Sequence, residues 1–352
     1  MEINMNIKTS TLAVAVAAVM GLGLAGQAAA SVYASSGLEV QNVSVFITED
    51  LVNPSPNVTI NSFQFTATNT ATLNGVNAPT QSATCGGTPG TPPAGNDCNA
   101  AIPRLDPNPA NAPGSSVSRS NNDFSFFGPG TDQYANSDSV ITTSELTLDG
   151  SSNTQQIAES ELQSGNSASS NAEIKSSTGF TFNFTISGAG TDALVLQFDA
   201  DPSLMAEIMQ GGNFLNGNAQ ANVNASFTLT QDLTGDAVSW SPQGSANNDC
   251  TVDAGLAPIT CGELADGADL NRNLSVSSNG SSAQFSRAAG LSAFGIAING
   301  LTNGDWTLAF NTLTSTSVRQ TIPEPGALAL LGIGLAGMGA VSLRKKKSKA
   351  NA

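Results

Sequence analysis

Several stretches of the chain alternate apolar and polar residues, and this period-two pattern constrains the fold more than any other feature. Because successive side chains of a strand point to opposite faces, each stretch predicts a strand with one buried and one solvated face. One-sided burial is typical of antiparallel sheets. We therefore predict an all-β body over residues 31–321, an antiparallel β-sandwich of jelly-roll-like type. The stretches are NVSVFIT (42–48), GFTFNFTIS (179–187), DALVLQFDA (192–200), NVNASFTLTQ (222–231) and DWTLAFN (305–311).

Two other stretches carry a helical pattern. In DPSLMAEIMQGG, Asp201 can cap a helix, Pro202 suits its first turn, and the apolar residues that follow recur at helical spacing. NTQQIAESELQSG, residues 153–165, has a similar pattern. We therefore expect two short helices beside the strands.

Residues 79–118 contain eight prolines, the last of them Pro113. Proline interrupts helices and strand ladders alike, and about forty residues are too many for an ordinary connection. We predict a Pro/Gly-rich loop region here. It either decorates a single sandwich or separates two β units.

The body is acidic and the chain lacks histidine. Positions 31–321 carry 6 basic and 25 acidic residues. Phosphate backbones are repelled by such a surface, so we expect no nucleic-acid partner. The absence of histidine excludes Ser-His-Asp and Cys-His catalysis and histidine-ligated zinc, but it leaves carboxylate chemistry and calcium open.

Residues 1–30 predict a secretory signal peptide. Lys8 supplies positive charge, residues 12–24 are apolar and small, and Ala28 and Ala30 fit a small-x-small cleavage site that makes Ser31 the first mature residue. The alternative is an uncleaved membrane anchor, but the apolar stretch is short for a membrane span. We therefore expect processing by a signal peptidase and an oxidising destination.

Four cysteines lie in two loop-like stretches. Cys85 and Cys98 have twelve residues between them, and Cys250 and Cys261 have ten. Pairing within each stretch is the simplest of the three connectivities, and neither spacing fits the C-x2-C pairs of zinc ribbons. We predict two local disulfides.

Acidic residues recur in pairs, among them Asp249 with Asp253 and Asp266 with Asp269. The stretch ADGADLNRN around the second pair is rich in oxygen ligands, which calcium prefers, although no EF-hand pattern is present. We expect no obligatory cofactor, and we name Asp266 and Asp269 as calcium candidates against the alternative of a solvated turn. The sequence places no nucleophile or facing carboxylate pair, so we predict no catalytic residue.

The chain ends in IPEPGALALLGIGLAGMGAVSLRKKKSKANA. Residues 326–343 are uncharged and, as a helix, would be about 27 Å long, enough to cross the hydrocarbon core. Pro323, Glu324 and Pro325 before them form a stiff segment that cannot continue a helix. By the positive-inside rule the following basic residues stay cytoplasmic with the tail 348–352, which places the body outside. These basic residues are Arg344, Lys345, Lys346 and Lys347.

This order of Pro-Glu-Pro, apolar helix and basic cluster resembles the PEP-CTERM sorting signal of Gram-negative bacteria, over residues 322–347. The resemblance implies that an integral-membrane exosortase recognises Pro323, Glu324 and Pro325 and removes the tail. It also implies that residues 326–343 cross the inner membrane transiently and that Arg344–Lys347 stop their transfer. The mature protein would then reach the cell surface or extracellular matrix, often alongside exopolysaccharide.

We therefore expect an exported surface or matrix protein with a structural or interaction role, without catalysis, and with exopolysaccharide, biofilm or surface proteins as its setting. One alternative is a carbohydrate- or surface-binding module, although two Trp and two Tyr leave little for stacking on sugars. A second alternative is a secreted hydrolase. Two acidic side chains facing each other across a cleft, one with a raised pKa, would favour it.

Overall fold

The structure is a computed structural model that describes residues 31–48, 55–87, 104–105, 107, 109–143, 152–163, 169–188, 192–209, 216–245, 247–278, 280–286 and 290–321. These residues form eighteen strands and one 3-10 turn, Ala254–Leu256, and no α-helix occurs among them. The strands are β1 (Ser31–Thr48), β2 (Val58–Leu73), β3 (Val76–Asn77), β4 (Gln81–Gly87), β5 (Arg104–Leu105), β6 (Ala110–Asn111), β7 (Tyr134–Thr143), β8 (Ser152–Gln163), β9 (Ser169–Ile186), β10 (Asp192–Ile208), β11 (Asn216–Gln231), β12 (Ala237–Trp240), β13 (Cys250–Val252), β14 (Thr260–Asp266), β15 (Asn273–Val276), β16 (Ser282–Ser286), β17 (Ser292–Leu301) and β18 (Gly304–Thr321).

The strands form two antiparallel sheets. The first sheet has the order β14-β17-β10-β1-β8-β7-β5, with β16 beside β10 and β6 beside β7. The second sheet has the order β13-β12-β11-β18-β9-β2-β3, with β15 beside β11 and β4 beside β2. All five alternating stretches lie within or almost within long strands of these sheets, which confirms the all-β, antiparallel class.

The inner faces of the two sheets meet in one hydrophobic core. Phe198 of the first sheet contacts Phe310 of the second, with ring centroids 5.0 Å apart. Along β18 the buried side chains change from aromatic to polar: Trp306 and Phe310 are followed by the buried hydroxyl of Thr312. There the amide of Gln156, from the first sheet, donates to the hydroxyl of Thr312, so a polar group is buried only because it is paired.

The two expected helices are wrong, because the described residues of both stretches lie in strands up to Gln163 and Ile208. Residues 201–208 belong to β10, where Leu204, Ala206 and Ile208 are buried at alternate positions. Pro202 lies where β10 changes partner, since its pairing with β17 ends at Ala200 and its pairing with β16 begins at Ser203. A proline is tolerated at such a break in the ladder. Residues 152–163 form β8, in which β1 and β7 satisfy the backbone on both sides.

The Pro/Gly-rich region 79–118 is not wholly loop. It contributes β4 to the second sheet and the two-residue strands β5 and β6 to the first. Residues 88–103, with Cys98, lie outside the described residues. The described part of the region therefore extends both sheets at the same edge of the sandwich.

Candidate functional site

The predicted sorting and processing residues lie largely outside the described part of the chain. This applies to Ala28, Ala30, Pro323, Glu324, Pro325 and the basic residues 344–347. Ser31, the predicted first mature residue, is described, begins the central strand β1 and is buried. Within the described ranges no helix is long and apolar enough to cross a membrane, and the predicted membrane helix 326–343 is not among them.

A disulfide between Cys250 and Cys261 joins the two sheets at one edge. Cys250 lies in β13, the last strand of the second sheet, and Cys261 lies in β14, the last strand of the first. Their Cα atoms are 6.1 Å apart, which is ordinary for a disulfide. Cys85 is also disulfide-bonded, and its predicted partner Cys98 lies outside the described residues. The prediction of a local Cys250–Cys261 pair is confirmed.

Beside this disulfide, three carboxylates converge. One oxygen each from Asp249, Glu263 and Asp266 lies within 4.8 Å of the others. Trp240 Nε1 of the second sheet donates to Glu263 Oε1 of the first at 2.7 Å, and the backbone N–H of Asp249 donates to the same oxygen at 3.0 Å. The backbone N–H of Ser245 donates to Asp266 Oδ2 at 3.1 Å. The cluster therefore links the two sheets by hydrogen bonds as well as by the disulfide.

Burial raises the pKa of Asp266, and the nearby negative charge of Glu263 raises it further. Backbone N–H donors, that of Ser245 first, act in the opposite direction. The Oδ1 atom of Asp266 is shielded from solvent and has no hydrogen-bond partner among the described residues. Carboxylates this close repel each other when ionised, so the site favours either a proton or a cation.

Of the predicted calcium pair, Asp266 belongs to this cluster and Asp269 does not. Asp266 joins Asp249 and Glu263, whereas Asp269 accepts from the backbone N–H of Asn271 at 2.9 Å and lies 3.8 Å from Arg272. Of the described acidic residues, the Asp249–Glu263–Asp266 cluster has the spacing in which oxygens could share a divalent cation. Proximity of acids does not by itself make a metal site, and calcium binding stays a prediction.

Sequence reasoning missed Glu263. Its signal lies in the disulfide, because Asp249 precedes Cys250 directly and Glu263 follows Cys261 by two residues. Once the two cysteines pair, the flanking acids must lie close together. The sequence suggested Asp253 as the partner of Asp249 because it is near in the chain, whereas the disulfide places Glu263 beside Asp249.

A second polar cluster, also missed, is buried under residues 112–133 on the outer side of the first sheet. Arg119 Nη2 lies 2.5 Å from Glu159 Oε2, and both side chains are 0% exposed. The hydroxyl of Tyr33 donates to Glu159 at 2.6 Å. The backbone N–H groups of Phe127 and Gly128 also donate to this carboxylate, at 3.1 and 3.0 Å.

Glu161 lies two residues after Glu159 in β8 and binds the same covering segment, residues 112–133. Its carboxylate accepts from the backbone N–H groups of Gly130 at 2.7 Å and Thr131 at 3.1 Å. Burial raises the pKa of Glu161 although these donors lower it. Burial, with the charge of Glu159 second, also raises the pKa of Tyr33 and of Tyr134. Because every carboxylate oxygen here is bound to the protein's own groups, the arrangement fixes a loop and is not an open reactive site.

A disulfide and polar contacts join the two sheets at one edge, so the described body is a cross-linked, all-β sandwich. Comparison with known protein families finds the PEP-CTERM protein-sorting motif at residues 321–346, which confirms the resemblance of the C-terminal segment. No curated protein and no solved structure matches the chain. The motif implies export, processing by an exosortase, and delivery to the cell surface or extracellular space.

Proposed function

We propose that this protein is a non-catalytic component of the cell surface or extracellular matrix, where its β-sandwich has a structural or interaction role within exopolysaccharide or biofilm. The observation that carries the proposal is the PEP-CTERM protein-sorting motif at residues 321–346. In this proposal a signal peptidase cleaves after Ala30, the segment 326–343 holds the chain in the inner membrane for a time, and an exosortase acts at Pro323–Pro325.

The described body suits such a setting. A disulfide persists in an oxidising compartment and not in the cytosol. The buried Arg119–Glu159 pair and the polar contacts of β8 hold a long connection onto the first sheet, where an exposed loop would invite proteolysis. A body stapled in this way fits long residence outside the cell.

A variant pair tests the sorting role. We expect Glu324→Ala, or deletion of residues 323–352, to reduce the share of protein that cell fractionation finds at the surface. The exposed Glu173→Ala serves as a control for loss of an acidic residue, and its surface share should equal that of the wild type. Undiminished surface delivery of both C-terminal variants would contradict the proposal.

One observation supports the hydrolase alternative and another opposes it. The raised pKa of Asp266 beside Glu263 is the kind of pair that a carboxylate-dependent enzyme uses. However, Glu263 Oε1 already accepts from Trp240 and from the backbone of Asp249. Asp266 Oδ1 has no partner among the described residues but is shielded from solvent, whereas a general acid or nucleophile needs an oxygen that the substrate can reach. These residues therefore fit an edge contact better than a catalytic pair.

A further inference from the structure

The outward face of the second sheet carries mostly hydroxyl and amide side chains, with Gly179, Ala309 and Leu313 among them. Residues paired across neighbouring strands form four rows at its centre, which we call the hydroxyl face. The rows are Ser62–Asn183–Thr307–Thr230, Gln64–Thr181–Ala309–Thr228–Ser239–Thr251, Thr66–Gly179–Asn311–Ser226 and Thr68–Ser177–Leu313–Asn224.

The hydroxyl face is regular because its strands pair in register over all four rows, and the one register shift of the β2–β9 ladder, between Ile60 and Ser62, lies at the edge of the first row. The β11–β18 and β18–β9 ladders run their full length with no register shift. Neighbouring strands are therefore about 4.8 Å apart and successive outward residues of a strand about 6.8 Å apart over the whole array. Gln64, Asn224 and Asn311 are exposed, so the described chain does not cover the face.

No ionisable side chain lies within the four rows. The charged residues of this side of the sheet lie at the ends of the rows, with Glu173, Lys175 and Arg319 at one end and Asp305 at the other. Asp232 also lies at the Asp305 end, and its Oδ1 is 2.8 Å from the hydroxyl of Thr307 in the first row. Lys175 and Glu173 neutralise each other at 3.1 Å. The first sheet differs, because the outward side of β1 and β10 carries acidic residues and no basic one. These acidic residues are Glu39, Asp199, Asp201 and Glu207.

Part of the hydroxyl face is already ordered by hydrogen bonds between its own side chains. Asn183 Nδ2 donates to Ser62 Oγ at 2.8 Å, and Thr307 Oγ1 lies 2.8 Å from Asn183 Oδ1. Asn311 lies against Gly179, where an added Cβ would be 2.5 Å from Asn311 Oδ1. Side chains held in place in the free protein lose less entropy when they bind a partner.

From this array we propose that the hydroxyl face docks a neutral, hydroxylated polysaccharide, an inference that rests on the proposed surface role. Because the face itself is uncharged, it does not repel a neutral polymer. Each hydroxyl or amide side chain of the face can both donate and accept hydrogen bonds, and so can the hydroxyl groups of a polysaccharide. Protein partners fit poorly, since interface cores favour aromatic residues, Met and Arg. Nucleic acids and anionic polymers are disfavoured by the surrounding acidic charge.

Affinity electrophoresis of the mature protein, purified after its release from the cell surface, tests this in gels that contain dextran, pullulan, galactomannan or hydroxyethyl cellulose. We expect at least one of these neutral polysaccharides to retard the wild type. The triple variant Thr66→Val, Thr181→Val and Thr228→Val keeps the β-branched shape and removes three hydroxyls of the face. We expect it to bind at least about fivefold more weakly, the loss that one ordinary hydrogen bond produces.

Thr142→Val, on the outward side of β7 in the first sheet, is the matched control and should be retarded as the wild type is. Retardation by none of the four polysaccharides, or equal retardation of the triple variant, would overturn the proposal. So would equal retardation by anionic alginate. If the triple substitution alters the oligomeric state measured by sedimentation but leaves the retardation unchanged, the face binds a second copy of the chain and not a polysaccharide. Surface delivery of the triple variant, measured separately, shows whether the sorting proposal stands when this one fails.

Discussion

Individual buried charges in this protein are tied to the polypeptide in ways that predict unequal sensitivity to substitution. The guanidinium of Arg119 serves Glu159 and also donates to the backbone carbonyls of Asp123 and Ser125, each at 2.7 Å. By contrast, the Lys175–Glu173 pair lies on the surface with side chains 55% and 54% exposed. Both are ion pairs, but only the first leaves a buried charge behind when one partner is removed.

We expect Arg119→Met to lower the free energy of unfolding by about 3–5 kcal/mol, because the Glu159 carboxylate then remains buried without its cation. Urea denaturation measures the effect. Lys175→Met is the matched control, and loss of an exposed pair should cost less than about 1 kcal/mol. Equal costs for the two variants would show that residues 112–133 do not depend on the buried pair.

Asp266 predicts a pH dependence of stability. Because burial raises its folded-state pKa above the ordinary value of 3.8, the stability it contributes is present below that value and is lost as the pH rises through the raised pKa. Asn keeps an acceptor for the N–H of Ser245 and removes the charge. We therefore expect Asp266→Asn to gain stability relative to the wild type as the pH rises from about 3.5 to about 7.

Thermal unfolding at several pH values in EDTA measures this difference, and a difference that stays constant or declines with pH would contradict it. Repeating the series with calcium chloride tests the calcium prediction separately. If the three carboxylates share the ion, calcium raises the melting temperature of the wild type more than that of Asp266→Asn. Equal shifts in the two proteins would exclude binding at this cluster.

At the scale of elements, the alternation of apolar and polar residues was sufficient to predict a strand wherever one face of the strand is buried and the other is solvated. It fails in β8 and in the second half of β10. Residues 112–133 cover the outer face of β8 while its inner face packs against the second sheet, and β10 contains a proline. Glu159 and Glu161 point outward, but the covering segment buries them. The inner face of β8 also carries polar residues, Gln156 and Ser160, so its sequence does not alternate, and its few apolar residues match helical spacing by coincidence.

The Cys250–Cys261 disulfide connects elements of different sheets, so its loss should loosen the edge formed by β13 and β14. For a closed loop of this size we expect the double variant Cys250→Ser, Cys261→Ser to lose roughly 3 kcal/mol of unfolding free energy, measured by urea denaturation. The far edge at β4 is the internal comparison. In the double variant the hydrogen-exchange rate should rise at β13 and β14 and stay unchanged at β4. An equal increase at all three strands would contradict a local role of the disulfide.

At the scale of the whole molecule, the sequence predicted destination better than it predicted chemistry. The sorting motif is read directly from Pro323–Pro325 and its neighbours, because a processing enzyme recognises a short linear segment. The Asp249–Glu263–Asp266 cluster and the hydroxyl face require a sandwich edge and a strand register, which no local pattern contains. Pairing across strands decides both, and one residue of slip would turn every outward hydroxyl inward.

The central claim is that the C-terminal segment is a removable sorting signal. The most direct measurement is the intact mass of the protein released from the cell surface, with the first and last residues assigned by peptide mapping. The account predicts a chain that begins at Ser31 and lacks residues 326–352. Surface protein that still ends at Ala352 would contradict it and identify the segment as a permanent membrane anchor.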